Sequence, residues 1–220
     1  MAETPVLVTH TRLHEFIVDV LMAMKMERAP AEITAGHMVR TDLRGVDSHG
    51  IGMLPRYVEY WRAGYLQLDS EPKVVRDDGA MALFDAGKSL GHYASTLAMR
   101  KAIEKAKAYS IGIATVRNSS HFGAAANYSM LALEHDLIGL ATTNTPRPAA
   151  VPTFGRQAMF GTNPLSFAAP PAATRRSSST WRRRPSRSAS SSSPRGGGSR
   201  SPKAGRSTTA ADRPPTPWSP

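Results

Sequence analysis

The sequence predicts an α/β fold with a helical N-terminal part. Between Thr11 and Met26 apolar residues recur with the 3.6-residue period of a helix. From residue 73 the apolar period shortens to that of strands, and Asp78-Gly79 is a strong hairpin-turn signal. Short apolar runs then alternate with helical segments as far as residue 169. Helices followed by mixed strands and helices therefore define the predicted class.

Three helices are predicted in the first 65 residues. The first carries a single apolar stripe made by Leu13, Phe16, Ile17, Val20, Leu21 and Met24. Pro30 suits the first turn of a second helix that runs to about Leu43, and Gly45 is placed to end it. A third helix is expected from Leu54 to Tyr65, ending near Gly64.

The elements after residue 70 are predicted from their period and their turns. They are strands at Lys73–Arg76 and Met81–Asp85, a helix at Tyr93–Tyr109, a buried strand at Ile111–Arg117, a helix at Gly123–His135 and a strand at Leu137–Thr143. The strand-helix-strand order of the last three predicts a βαβ unit. Edge strands are expected at Met159–Phe160 and Leu165–Ala169.

Composition excludes several classes of protein. The chain has 220 residues and no cysteine, so disulfides and Cys-ligated metals are excluded. No apolar run reaches the roughly 18–20 residues of a membrane span, and the N-terminus lacks the layout of a signal peptide. A soluble cytoplasmic protein is expected.

The last 49 residues differ from the rest. Residues 172–220 hold 11 Lys/Arg and one acid, which accounts for +10 of the total net charge of +11. They contain no Leu, Ile, Val, Met, Phe or Tyr, and Ser, Arg and Pro dominate. Such a segment buries too little surface to offset chain entropy, so we expect it to be disordered. The expected domains are 1–70, helical; 71–171, a partial α/β domain; and 172–220, the tail.

The most chemically suggestive stretch lies between Arg40 and Tyr57. Asp47, Ser48 and His49 are consecutive, and glycines at positions 45, 50 and 52 frame them. Histidine exchanges protons near neutral pH, which suits acid/base chemistry. A polar turn with a surface histidine explains the same pattern equally well.

A second histidine stands where α/β proteins place their sites. His121 follows a predicted strand and precedes a predicted helix, next to Ser119 and Ser120. The alternative is a helix N-cap cluster with the histidine merely nearby. The other histidines, His10, His14, His37, His92 and His135, show no metal-ligand spacing and are expected to be surface or packing residues, so no metal site is predicted.

Two uncharged polar segments could receive a nucleotide or a carboxylate. They are Thr142–Thr145 and Gly161–Pro164, which offer amide N–H groups and hydroxyls. The dinucleotide-binding G-x-G-x-x-G and the phosphate-binding P-loop pattern are both absent.

Together these stretches resemble the malate/L-lactate dehydrogenase family that is distinct from the classical Rossmann enzymes. The matching segments are DLRGVDSHGI, LPRYVEYW, GHYASTLAM, SSHFGAAANYSMLA, IGLATTNTPRPAAVPTFG and GTNPLSFAAP, in the family's order. The family also includes ureidoglycolate, sulfolactate and 2,3-diketogulonate enzymes and cyclic imino acid reductases. SHG, HFG and GTNP are specific in combination and not singly.

The resemblance implies a homodimeric NAD- or NADP-dependent oxidoreductase with a non-Rossmann α/β cofactor domain. Its substrate would be a small 2-hydroxy or 2-oxo acid, or a cyclic imino acid. By position, His49 and His121 match the family's acid/base candidates. The remaining matches are Arg44, Ser48 and Tyr57 around the substrate and Thr145 at the cofactor, and we add Gly161, Thr162 and Asn163 as cofactor candidates.

The tail departs from the family, which continues past GTNPLSFAAP with an apolar strand and an Asp-Met-Ala-Thr-Ser cofactor segment. Codons compatible with Arg175 to Ser190, read from the third base of Arg175, can spell Pro-Phe-Val-Leu-Asp-Met-Ala-Thr-Ser-Thr-Val-Ala-Val-Gly-Lys. We therefore expect a frameshift between Pro171 and Arg175, and a truncated, poorly folded and inactive chain. The alternatives are a nucleic-acid-binding protein that uses the Arg/Ser tail, or a scaffold that binds partners only.

Overall fold

The computed structural model describes residues 7–145, 148–171 and 177–181, the last of these as backbone. Its α-helices are α1 (His10–Ala23), α2 (Arg28–Leu43), α3 (Leu54–Arg62), α4 (Gly91–Tyr109) and α5 (Ala126–Ser129), with 3₁₀ turns at Asp47–His49, Ile51–Met53 and Met130–His135. Its strands are β1 (Lys73–Asp78), β2 (Met81–Asp85), β3 (Ile113–Arg117), β4 (Gly139–Thr142), β5 (Leu165–Ala169) and β6 (Ser177–Trp181). Mixed helices and small sheets confirm the predicted α/β class.

The described chain falls into two compact units. Residues 7–143, 164–171 and 177–181 belong to the first, and residues 144–145 and 148–163 to the second. The domain division proposed at residues 70 and 171 stays a prediction.

The three predicted N-terminal helices are present, but α1 ends at Ala23 and α3 at Arg62, each three residues earlier than predicted. Thr9 caps α1 by accepting a hydrogen bond from the Arg12 amide at 3.4 Å. Ile17 and Leu21 of the apolar stripe are fully buried, but Phe16 is 55% exposed, so the stripe is narrower than predicted. The core that they enter includes residues of α2, α3 and the segment before α4, among them Met38, Tyr57 and Leu90.

The first sheet has the order β1-β2-β3. β1 and β2 pair antiparallel around the predicted turn, where Gly79 adopts φ +47°. β2 and β3 pair parallel, and α4 is the crossover between them. β3 was predicted to be buried, which is wrong, because its residues alternate between exposed and half-buried.

The βαβ unit was predicted from residue 111 to residue 143, but the parallel pair in the structure is β2 and β3, connected by α4. β3 and β4 lie in different sheets. The segment between them holds only the four-residue α5 and a 3₁₀ turn, whereas α4 has 19 residues. A parallel crossover needs a dozen or more residues, usually as a helix, which α4 provides between β2 and β3.

The second sheet is antiparallel, with the order β4-β5-β6. β5 was expected at an edge and is instead the central strand. Its outer neighbour is β6, which lies in the tail that was expected to be disordered. β6 pairs through backbone hydrogen bonds, which do not need apolar side chains. At the other predicted edge strand, Phe160 forms an isolated bridge with Ala150.

Most of the tail, residues 172–176 and 182–220, lies outside the described residues. The expectations of disorder, of an out-of-frame origin and of a nucleic-acid-binding arm fall there. None of the helices in the described ranges combines the length and apolar character that crossing a membrane requires.

Candidate active site

His49 ends the 3₁₀ turn that follows α2. α2 stops because Gly45 adopts φ +69°, with its amide donating to the Asp42 carbonyl at 2.8 Å. The His49 amide in turn donates to the Val46 carbonyl at 3.0 Å, which closes the turn. The Ser48 hydroxyl lies 2.8 Å from Nδ1 of His49. The sequence cluster is thus a structured turn with its imidazole half-buried.

Asp42, on the last turn of α2, holds this segment in place. Its carboxylate accepts a hydrogen bond from the Ile51 amide at 2.8 Å. A Cβ at position 50 would lie 1.6 Å from the same carboxylate, so a side chain there would displace Asp42. Desolvation raises the pKa of Asp42. Asp42 lies in the DLRGVDSHGI segment, but its sequence neighbours carry no signal of this role.

The fold brings His121 to His49. His121 lies in the loop after β3, and the centroids of the two imidazole rings are 5.5 Å apart. The sequence predicts the two histidines on separate elements, but it does not predict the distance between them. Their meeting favours the site interpretation of each over a plain turn or helix cap.

Tyr57 packs beneath this pair. It lies on α3, is fully buried, and its hydroxyl is 2.6 Å from Nδ1 of His121. The Gly123 amide also donates to that nitrogen, at 3.3 Å. Burial raises the pKa of Tyr57, so its hydroxyl keeps its proton.

The environment of His121 keeps its ring neutral at neutral pH. Burial, followed by the nearby His49 and the Arg56 guanidinium, lowers the pKa of His121 to about 4. A protonated His121 would lose its hydration in this buried position and would be repelled by the positive charge of Arg56. The site therefore holds the two histidines in unequal surroundings.

Two further histidines extend the row inward. The ring of His92 lies 6.5 Å from that of His121 and 6.4 Å from that of His37. Both rings are buried, and burial lowers the pKa of His37 to about 4 and that of His92 well below its usual range. We expected surface or packing residues, and both are packed. Spacing alone gave no signal that they line up behind His121.

Two of the three substrate candidates, Arg44 and Ser48, lie at the turn, and the third, Tyr57, lies on α3. Arg44 is the C-terminal cap of α2, is exposed, and donates to the sulfur of Met130. Ser48 is exposed and contacts His49. Tyr57 points its hydroxyl at His121, which makes it a neighbour of the histidine pair.

The cofactor candidates form a connected group within the second compact unit. The hydroxyl of Thr145 accepts from the Thr162 amide at 2.9 Å, and the Thr145 amide donates to the side-chain oxygen of Asn163 at 3.0 Å. A Cβ on Gly161 would lie 2.0 Å from the Thr145 hydroxyl. All four predicted residues therefore meet, although two of the expected free amides are already engaged.

Comparison with known proteins identifies the class. The family model described as malate/L-lactate dehydrogenase matches residues 8–177. This chain belongs to that family of oxidoreductases.

Individual relatives agree with this assignment. The malate dehydrogenase of Pyrococcus horikoshii is 40% identical over 168 residues, 76% of this chain and 46% of the relative. The solved sulfolactate dehydrogenase of Methanocaldococcus jannaschii superposes with a TM-score of 0.77 at 34% identity, covering 80% of this chain and 51% of that one. The solved Δ1-piperideine-2-carboxylate reductase of Pseudomonas syringae pvar. tomato gives a TM-score of 0.73 at 26% identity, covering 80% and 53%.

This chain spans about half the length of the relatives that it matches. Their names refer to hydroxy acids and to a cyclic imino acid.

Proposed function

We propose that the chain derives from an NAD- or NADP-dependent oxidoreductase acting on a small 2-hydroxy or 2-oxo acid of the malate or lactate kind, or on a cyclic imino acid. The observation that carries the proposal is the approach of the His49 and His121 rings to 5.5 Å. Two imidazoles brought together from distant segments suit proton transfer to a substrate. The relatives named for such substrates support the choice.

Proton transfer is what the described residues can perform. When bound, the nicotinamide supplies or accepts the hydride at the substrate carbon. The substrate oxygen then needs a proton in the reductive direction and must lose one in the oxidative direction. The histidine pair can carry out this proton transfer. The buried residues Tyr57 and His92 keep water away from one face of His121.

Substrate binding is assigned to the exposed groups of the turn. The guanidinium of Arg44 and the hydroxyl of Ser48 lie on the segment that carries His49. A guanidinium suits a carboxylate because it offers several donors in a fixed fork. Both substrate classes carry a carboxylate, so Arg44 and Ser48 are proposed to hold it.

The residues of the second unit fit an anionic dinucleotide. None of the four carries a charge. Since the Thr145 hydroxyl oxygen and the Asn163 side-chain oxygen already accept hydrogen bonds, the hydroxyl hydrogen of Thr145 and the NH₂ of Asn163 can donate to a phosphate. We propose that Thr145, Gly161, Thr162 and Asn163 hold the cofactor.

The frameshift remains part of this proposal. Ser177–Trp181 pairs with β5 where the alternative reading supplies an apolar segment, Phe-Val-Leu. We expect the 220-residue chain to have little dehydrogenase activity and the reading-frame-restored chain to have much more. The nucleotide sequence is the direct check, since one insertion or deletion near codon 172 must recover the alternative reading.

The activity test compares the chain as given with the frame-restored chain. Each is assayed with reduced nicotinamide cofactor and oxaloacetate, pyruvate or a cyclic imino acid, following oxidation of the cofactor. His49→Gln and His121→Gln in the restored chain are expected to lower kcat by about 10²–10⁴-fold, the range of a lost acid/base group. His10→Gln, at the exposed start of α1, is the control. Full activity in both site variants would refute the assignment.

The homodimer is likewise a proposal. Light scattering of the frame-restored chain tests it, with a mass of twice one chain expected. A monomer that retains activity would remove the dimer from the functional description.

A further inference from the structure

The hydrogen bonds at His121 fix where its proton sits. A neutral imidazole has one nitrogen with a hydrogen and one without. The Gly123 amide, which can only donate, points at Nδ1 of His121. Nδ1 therefore accepts and carries no hydrogen, and in the neutral ring the hydrogen is on Nε2.

This assignment also decides the direction of the shorter contact. The Tyr57 hydroxyl lies 2.6 Å from the same Nδ1. Since Nδ1 has no hydrogen to give, the hydroxyl is the donor. The buried surroundings of Tyr57 keep it protonated, as a donor must be.

The ring of Tyr57 is fully buried, which restricts the direction in which its hydroxyl can point. Its ring lies edge-on to His92 with centroids 5.9 Å apart, and 5.8 Å from His121. A Cβ on residue 123 would be 2.6 Å from the His92 ring, and the φ of +70° also favours glycine, so a glycine amide is what fits beside His121. Both donors to Nδ1 are thus held from the buried side.

We infer that Tyr57 is a positioning residue which, with the Gly123 amide, locks His121 as the Nε2–H tautomer, so that His121 donates a hydrogen bond to the reacting oxygen while His49 exchanges the proton. The tautomer follows from the contacts alone. The division of roles between the histidines rests on the proposed function.

The division balances chemically in the reductive direction. As hydride reaches the carbonyl carbon, the C=O π pair moves to the oxygen, which Nε2–H of His121 stabilises by a hydrogen bond. The oxygen takes its proton from the protonated imidazole of His49, which becomes neutral and is reprotonated from water. His121 begins and ends neutral.

The charges around His121 are consistent with a single proton on the pair. The groups that face it are His49 from the 3₁₀ turn, Arg56 and Tyr57 from α3, and His92 from α4. A proton on His49 disfavours one on His121, and the buried His92 and Tyr57 offer no compensating anion. Only His49, on the exposed side, is therefore suited to exchange.

Nitrogen-15 NMR with labelled histidine tests the tautomer without cofactor or activity. It is run on the frame-restored chain as well as on the 220-residue chain, because the latter is expected to fold poorly. The His121 signals are assigned by their loss in His121→Gln. In the unmodified protein at neutral pH, we expect the Nδ1 signal of His121 at the shift of an unprotonated nitrogen and Nε2 at that of a protonated one. A protonated Nδ1 would overturn the inference outright.

The variant Tyr57→Phe removes only the hydroxyl. The neutral ring loses a donor to Nδ1, so we expect the other tautomer to appear and His121 to titrate at higher pH than in the unmodified protein. Tyr109→Phe, the same change at an exposed tyrosine at the end of α4, should leave both unchanged. An unaltered tautomer and titration in Tyr57→Phe would also overturn the inference.

Kinetics of the frame-restored chain separate the two claims. Tyr57→Phe should lower kcat by about tenfold, the loss of one hydrogen bond that orients a catalytic group, with little change in KM. If NMR shows the Nε2–H tautomer but the restored chain reduces no 2-oxo or imino acid, the proposed function fails while the role of Tyr57 in setting the tautomer stands.

Discussion

The carboxylate of Asp42 fills the space that a side chain on Gly50 would need. The distance from a Cβ at position 50 to Oδ1 of Asp42 would be 1.6 Å, and the other carboxylate oxygen accepts from the Ile51 amide. One carboxylate therefore ties the end of α2 to the turn that carries His49.

Gly50→Ala is expected to destabilise the protein by about 1–3 kcal/mol, because the new methyl group displaces the Asp42 carboxylate from the Ile51 amide. Chemical denaturation measures the change. Gly36→Ala is the matched control, since its Cβ would meet nothing closer than 4.0 Å and the residue lies within α2. When Asp42 is already replaced by Ala, Gly50→Ala should lower the free energy of unfolding much less than it does in the unmodified protein. If the losses of the two single variants add in the double variant, the steric link is disproved.

Stability is expected to fall as the pH drops below about 6.5, the ordinary histidine pKa. The pKa values of His37 and His121 are lowered to about 4 in the folded protein, mainly by burial. Between those values the unfolded chain binds protons that the folded chain does not. Each histidine thereby removes about 3 kcal/mol by pH 4. Urea unfolding at pH 7 and pH 4.5 measures this loss.

His37→Gln should flatten that pH dependence, because it removes one of the buried groups that titrate. His10→Gln, at an exposed position, should leave it as it is. A slope that is the same in all three proteins would contradict a neutral, buried His37.

Two buried serines should respond differently to the same substitution. Ser129 shares a hydrogen bond of 2.7 Å with Ser166, whereas the Ser120 hydroxyl has no hydrogen-bond partner within the described structure. Ser129→Ala leaves Ser166 without that contact and should cost about 1–2 kcal/mol. Ser120→Ala removes a hydroxyl that gains nothing from folding, so stability should be unchanged or slightly higher. Thermal unfolding of the two variants makes the comparison, and equal losses would be inconsistent with it.

Lys105 is expected to hold the β1–β2 hairpin against α4. Its buried ammonium contacts the Asp77 carboxylate and donates to the Gly79 carbonyl at 2.6 Å. Lys105→Met keeps the aliphatic chain and removes these contacts, and it should cost about 1–3 kcal/mol with faster amide exchange in the hairpin. Hydrogen exchange measures it.

Lys101→Met is the matched control for the hairpin. Lys101 lies one turn earlier on α4 and also pairs with Asp77, but its side chain is 25% exposed against 7% for Lys105. A more exposed ion pair contributes less, so a smaller effect is expected. A larger effect in Lys101→Met than in Lys105→Met would show that Lys101, and not Lys105, anchors the hairpin.

The sequence by itself determined the local features of the site. Spacing and turn chemistry placed His49 after a helix that Gly45 ends, and His121 after a strand, because each signal depends on neighbours a few residues away. The hairpin at Gly79 followed for the same reason. The motifs in combination also indicated the family, which the comparisons confirm over residues 8–177.

The tertiary structure alone decided what depends on contacts between distant residues. Only the structure shows that α4 is the crossover between the parallel strands β2 and β3. It also shows that Tyr57 is buried with its hydroxyl hydrogen-bonded to His121, and that the His92 ring packs near the His121 ring. It also put Phe16 in solvent despite its helical spacing. Period and propensity report which face of an element is apolar, whereas the partner of that face depends on packing among all elements together.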